Sequence, residues 1–171
     1  MPEWKAMDML RQAHQVGLEK MHSMEAAIEG LKQDPVDAAI VQLRQLLAFF
    51  NGELRHHFLH EEEALFPALS RAIGPMGPVA VMTEEHKSMG RAMDALEEAL
   101  VDLEHGSTQS TKEAQQISSH ILWALRSHIK KEDEMLFPLA EAHLGERDRQ
   151  EVTCRMETTT AAPRAIISSP V

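Results

Sequence analysis

A fourteen-residue string occurs twice in this chain of 171 residues, 71 positions apart. Residues 54–67 read Leu-Arg-His-His-Phe-Leu-His-Glu-Glu-Glu-Ala-Leu-Phe-Pro, and residues 125–138 read Leu-Arg-Ser-His-Ile-Lys-Lys-Glu-Asp-Glu-Met-Leu-Phe-Pro, with eight of the fourteen positions identical. The identities include His57 with His128 and Glu61 with Glu132. On an α-helix, positions i and i+4 lie on one face, one turn apart. Each copy therefore aims an imidazole and a carboxylate at the same point. Two copies make a symmetric four-ligand set, the pattern of a metal site held between helices.

Four stretches carry apolar residues at alternating steps of three and four, the spacing of a helix with one buried seam. The first is Met7, Leu10, His14, Gly17, Met21, Met24, Ile28 and Leu31, with His14 its only polar member. The second runs Val36, Ile40, Leu43, Leu47, Phe50, Leu54, His57, Glu61, Ala64 and Ala68. The third is Val79, Met82, His86, Met89, Met93, Leu96, Leu100 and Leu103, again interrupted by one His. The fourth is Ala114, Ser118, Ile121, Leu125, His128, Glu132, Met135 and Leu139.

Asp34-Pro35 reads as an N-cap and first-turn pair, Gly74 to Pro78 as a turn, and Gly106-Ser107-Thr108 as the end of one helix and the cap of the next. Pro67 and Pro138 should kink or end their helices about a turn beyond each His/Glu pair. Long amphipathic helices with short connections imply an all-α fold, an antiparallel up-down-up-down four-helix bundle with an internal two-helix repeat. It would occupy residues 1–145. Residues 146–171 form a C-terminal extension, with Glu146 to Glu157 as a short charged helix and Thr158 to Val171 as a loose tail.

The net charge of −10 and pI near 5.4 argue against nucleic acid and anionic membrane surfaces as partners. No apolar run is long enough to span a bilayer, and the first residues lack a secretory pattern. The single Cys154 excludes an internal disulfide and cysteine-rich metal motifs, which favours a reducing, cytoplasmic setting. The absence of Tyr removes metalloenzymes that oxidise a nearby tyrosine to a radical.

The polar seam residues converge on His14, His57, Glu61, His86, His128 and Glu132. A hydrogen-bonded core histidine is the commoner fate of any one of them taken alone. Together they resist it, because two carboxylates in an apolar core cost several kcal/mol each without compensation, on the order set by lost hydration. Neutral imidazoles supply no countercharge, whereas metal cations do. Four imidazoles and two carboxylates without thiolate suit iron or manganese, and also zinc by ligand type. Six donors favour two ions, each with two His, and both Glu bridging. His56, His60 and His22 lie off the seams, as surface or supporting groups from which a further ligand would have to come. His105, His120 and His143 lack repeat partners and read as solvated or packing residues. Glu62, Glu63, Asp133 and Glu134 form an acidic face able to hydrogen-bond the ligand histidines.

The ordered pattern His14, His57-x3-Glu61, His86, His128-x3-Glu132, each carboxylate trailed by Leu-Phe-Pro, resembles the hemerythrin-like family of His/His/Glu cation-binding domains over roughly residues 6–145. The resemblance implies a non-haem di-iron centre (Fe2+/Fe3+) bridged by carboxylates and an oxo or hydroxo oxygen. It implies O2, NO or peroxide as small-molecule partner. Two departures stand out. Oxygen-carrying members have an i, i+4 His pair on the third helix, where His86 here has Met82 and Gly90. They also use an Asp five residues after the last His; Asp133 stands there, but Glu132 matches the internal repeat. Both departures point away from simple oxygen carriage and toward sensing or detoxification. Gly17, three residues after His14, leaves room for a ligand. An enzyme acting on peroxide or NO, an iron donor for cluster repair, and an iron-dependent module read by a protein partner are the competing expectations. Family members that repair clusters carry an extra Cys-containing N-terminal segment, and no Cys precedes Cys154, which disfavours repair.

Overall fold

The computed structural model describes residues 4–159, and these are helical almost throughout, with no strand. Helix α1 is Lys5–Gly30. Helix α2 is a continuous helical run over 37–73, made of Asp37–Phe49, Arg55–His60 and Phe66–Ile73 joined by wide π turns at Phe50–Leu54 and Glu61–Leu65. Helix α3 is Pro78–Glu104. Helix α4 runs over 108–143 as Thr108–Lys131 and Phe137–His143, joined by a π turn at Glu132–Leu136. Helix α5 is Glu146–Thr158.

Helices α1 to α4 close a ring of packed neighbours: α1 on α2, α2 on α3, α3 on α4 and α4 on α1. The fold is an all-α helical bundle. Every predicted seam residue of α1 and α3 is buried, because a 3.6-residue period keeps one stripe on the core side. The core divides in two. Met21, Leu43, Phe50, Met93, Leu96 and Ile121 belong to one apolar cluster; Met7, Leu10, Leu69, Met82, Phe137 and Ala140 belong to the other. Along each of the four helices the His and Glu seam residues lie in sequence between the two clusters, so the polar layer is sealed by apolar side chains at both ends.

The fourth seam departs from expectation at its end. Met135 is 39% exposed and Leu139 only half-buried, while Leu136, Phe137 and Ala140 take the core positions. The cause is the π turn, in which the Phe137 N–H bonds to the Glu132 carbonyl five residues back. One extra residue in a turn rotates everything after it by about 100°. The same device follows Glu61, where the Phe66 N–H reaches the Glu61 carbonyl and Leu65, Phe66 and Leu69 enter the core. Pro67 and Pro138 supply the physical reason. A proline has no N–H to give, and its ring clashes with the carbonyl four residues earlier in a regular helix. The wide turn absorbs that clash, so both helices continue past proline instead of ending there. The Glu63 carbonyl, which Pro67 cannot satisfy, accepts a hydrogen bond from Arg155 Nη1 at 3.4 Å.

Connections follow the turn chemistry with one shift. Gly74 and Gly77 adopt φ of 93° and 79° ahead of Pro78, and Ser107 stands at the N-cap of α4. Asp34-Pro35 lies in the connection itself; α2 begins two residues later, with Asp37 providing the acidic first turn. Helix α5 docks on the bundle through buried Val152 and Met156, and Trp4 Nε1 donates to the Arg149 carbonyl at 3.2 Å. The predicted short helix runs one residue further, and most of the predicted tail, 160–171, lies outside the described residues.

Candidate metal centre

Each bundle helix contributes to one polar cluster: α1 gives His14, α2 gives His57 and Glu61, α3 gives His86, and α4 gives His128 and Glu132. All six are buried, with no more than 6% exposure. Their donor atoms form two sets, His14–His57–Glu61–Glu132 and Glu61–His86–His128–Glu132, within each of which every atom lies inside 4.8 Å of the others. Both carboxylates belong to both sets. His14 Nε2 stands 3.1 Å from His57 Nε2 and 3.0 Å from Glu132 Oε2. His86 Nε2 stands 3.1 Å from His128 Nε2 and 3.3 Å from Glu61 Oε2. Within the two helical pairs, His57 Nε2 is 3.5 Å from Glu61 Oε1 and His128 Nε2 is 3.4 Å from Glu132 Oε2. Ligands at about 2.0–2.1 Å around one ion are separated from their neighbours by about 2.8–3.4 Å, from octahedral to tetrahedral geometry. The spacing matches.

Polar satisfaction says the same. Both Glu61 oxygens and Oε1 of Glu132 are buried without a hydrogen-bond partner. Leaving such groups unpaired costs about 1–3 kcal/mol each, and more when charged. A cation in each donor set removes that cost, so the residues fit a metal pair.

The outer nitrogens are held by carboxylates. Asp133 Oδ1 lies 2.8 Å from His14 Nδ1, Glu62 Oε1 lies 2.7 Å from His86 Nδ1, and Glu85 Oε2 lies 2.9 Å from His128 Nδ1. Lys131 in turn pairs with Glu85. A proton on each Nδ1, donated to the carboxylate, leaves the Nε2 lone pair free to bind a cation. Phe58 stacks on His86 at 3.9 Å between centroids and Phe137 on His14 at 5.1 Å, which fixes both rings in plane. Of the acidic face, Glu62 and Asp133 thus turn to the histidines. Glu132 enters the donor sets, and Asp133 does not. Glu85 escaped sequence reasoning because its repeat mate is Ala13.

The remaining histidines stand apart. Exposed His22 is bound at Nδ1 to the Leu18 carbonyl. His56 and His60 pack ring on ring at 4.1 Å, with His56 Nε2 donating to the Thr159 carbonyl, and neither joins a donor set. His105 bonds its own helix at the Val101 carbonyl, and His120 and His143 are exposed.

In the metal-free protein the cluster redistributes protons. Burial, reinforced by the Glu132 charge, pushes Glu61 up to about 8. Burial also works against a charge on His86, but the Glu61 carboxylate 3.3 Å from Nε2, the Glu62 carboxylate on Nδ1 and the Glu132 charge raise it to about 9. Burial drives His57 down to about 3. For Glu132 burial is overcome by the His14 hydrogen bond and the His128 and His57 charges, which hold it below the ordinary carboxylate range.

The iron-sulfur cluster repair protein YtfE of Pectobacterium carotovorum subsp. carotovorum (strain PC1) is 28% identical over 131 residues, 74% of this chain and 59% of that protein. Its namesake in Escherichia coli (strain SMS-3-5 / SECEC) is 29% identical over 104 residues, 58% of this chain and 47% of that protein. The chain therefore spans less than two thirds of the length of the curated relatives it matches. No solved structure matches it. The family model described as the hemerythrin HHE cation binding domain matches residues 5–152, which takes in all six cluster residues. This chain belongs to the hemerythrin HHE cation-binding domain family.

Proposed function

We propose that this protein holds a non-haem di-iron centre, with His14 and His57 on one iron, His86 and His128 on the other, and Glu61 and Glu132 bridging. It binds or reacts with a small molecule such as O2, NO or peroxide, in sensing or detoxification in the cytoplasm. The observation that carries this reading is the pair of four-donor sets sharing both carboxylates. Four protein donors per ion leave a position open to a small molecule where iron takes six. When bound, the metal supplies Lewis acidity and electrons. The protein's own residues orient the Nε2 atoms through Asp133, Glu62 and Glu85 and exclude water with two apolar layers. The relatives' role in iron–sulfur cluster repair favours a second reading, in which this chain serves such repair. No helix among the described residues is long and apolar enough to cross a membrane.

The test is to load the reduced protein with Fe(II) without air, count iron per chain, admit O2 and then withdraw it while following visible absorption. A band that appears and vanishes on deoxygenation means reversible binding. One that persists until a reductant is added means net oxidation and favours peroxide or NO chemistry. Recovery of a damaged iron–sulfur enzyme on adding the iron-loaded protein decides for repair. Fewer than two irons per chain overturns the di-iron assignment.

A further inference from the structure

An exposed tryptophan stands on the outer face of α4. Trp123 is 68% exposed, whereas Trp4 is 8% exposed. An indole left in water forgoes one of the largest apolar gains a side chain offers. The repeat does not call for it, because the position 71 residues earlier is Gly52. Arg126 and Lys130, at i+3 and i+7, share the face of Trp123, and both are exposed. Residues 114–131 contain no Asp or Glu, although 27 of the chain's 171 residues are acidic. Arg126 pairs with Glu25 of α1 at 2.8 Å and Lys131 with Glu85 of α3. Lys130 has no ion-pair partner among the described residues. An acidic protein thus carries one basic face with an aromatic ring on it.

Hollows flank the ring. One of about 380 Å³ is lined by Ser119, Leu122, Trp123, Arg126, Ser127 and Lys130. The other, of about 100 Å³ between α3 and α4, is lined by Trp123, Ser127, Glu85 and Lys131 among others. The second hollow leads toward the cluster, since Lys131 bonds Glu85 and Glu85 Oε2 lies 2.9 Å from Nδ1 of buried His128. Trp123 precedes His128 by five residues, about 7.5 Å along the helix axis. From Ser119 to Lys130 the face is about 17 Å long, which suits the small contacts of transient electron-transfer pairs, below about 1,200 Å².

Charge decides the occupant. A ring among cations fits a partner that presents carboxylates around an apolar patch. A second copy docked about a twofold axis through Trp123 would set Arg126 and Lys130 against themselves. We propose that the Trp123–Arg126–Lys130 face docks a small acidic electron-carrier protein, which delivers electrons to the His86/His128 half of the centre. Each encounter passes one electron from the reduced carrier to a ferric ion. Two encounters return a diferric pair to diferrous, with no bond made or broken. The delivery rests on the metal centre proposed above; the docking does not.

A plant-type 2Fe–2S ferredoxin, an acidic one-electron carrier, is the probe. Oxidised ferredoxin should bind the protein in calorimetry at low salt, and affinity should fall as ionic strength rises. Trp123→Ala should weaken binding roughly 30-fold, the loss of a central aromatic anchor. Alanine at this exposed helical position keeps the fold. Lys130→Glu should weaken binding about tenfold. Lys32→Glu, exposed between α1 and α2 and equal in charge change, should not weaken it. In the oxidised, iron-loaded protein, Trp123→Ala should slow reduction by reduced ferredoxin and leave reduction by dithionite unchanged. No binding, binding insensitive to salt, or equal loss in Lys130→Glu and Lys32→Glu overturns the docking. So does a dimer that dissociates in Trp123→Ala, because the face then belongs to a second copy. Reduction by ferredoxin that is unchanged in Trp123→Ala overturns the delivery. If the wild type takes up no iron, the metal-centre reading fails, and calorimetry on the metal-free protein alone decides the face.

Discussion

His128 is held by a pair, Glu85 and Lys131, that the repeat does not provide to His57, where Ala13 and His60 occupy the matching positions. Carboxylates behind a ligating histidine fix its tautomer and raise its basicity. Glu85→Ala should therefore weaken metal binding by about 10–100-fold while leaving the helical circular dichroism intact, and Glu85→Gln should keep part of the affinity. Metal titration of both variants reads this directly. The six cluster residues themselves should divide from the rest by metal content. His57→Ala and Glu132→Ala should lose iron, whereas His105→Ala, whose ring bonds the Val101 carbonyl of its own helix, should keep it. Equal iron in all three would sink the ligand assignment. The cluster was legible in the sequence because each member interrupts an otherwise apolar seam. Glu85 was not, since it lies one residue off the seam and its repeat mate is Ala13, which carries no carboxylate.

At the scale of elements, the informative features are the π turns at Glu61–Leu65 and Glu132–Leu136. They place Leu136 and Phe137 in the core at 0% exposure and leave Met135 outside. Met135→Ala should accordingly change stability by less than about 0.5 kcal/mol, as surface substitutions do. Deleting Met135 should remove the extra residue and restore a regular turn, which keeps Leu136, Phe137 and Ala140 on the core face but sets the Pro138 ring against the carbonyl four residues before it. The expected loss is about 3 kcal/mol, the cost of proline inside a regular helix, and thermal unfolding of the two variants separates the cases. If the deletion is as mild as the substitution, the wide turn is not what accommodates Pro138. The helices and their seams followed from periodicity, but the extra residue per turn did not. Pro67 and Pro138 signalled a disturbance whose outcome, a wide turn and not a helix end, depended on the apolar pockets waiting for Leu65, Phe66, Leu136 and Phe137.

For the whole molecule, the buried cluster couples folding, protons and metal. The metal-free Glu61 sits near 8 and His86 near 9, each above its ordinary value, so each contributes stability that is complete below the unfolded pKa. That contribution is lost as pH rises through about 8 for Glu61 and about 9 for His86. Glu132, held low, works in the opposite direction and loses its contribution only in acid. The metal-free protein should thus melt at a lower temperature at pH 9 than at pH 7. Cations bind the deprotonated ligands, so the rise in melting temperature on metal loading should be larger at pH 9 than at pH 6. Loading at pH 7 should also release protons, measurable by calorimetry in buffers of different ionisation enthalpy. A metal-induced stabilisation that does not change with pH would contradict this distribution of protons.

The sequence by itself determined the helices, their buried stripes, the internal repeat and the identity of the clustered histidines and carboxylates. All of these are periodic, and a period of 3.6 residues is a local property of the chain. Only the tertiary structure decided the register after each π turn, the Glu85–Lys131 hold on His128, and the docking of Val152 and Met156. Each depends on which side chain fills the space left by a residue far away in sequence, and packing of that kind has no period to read.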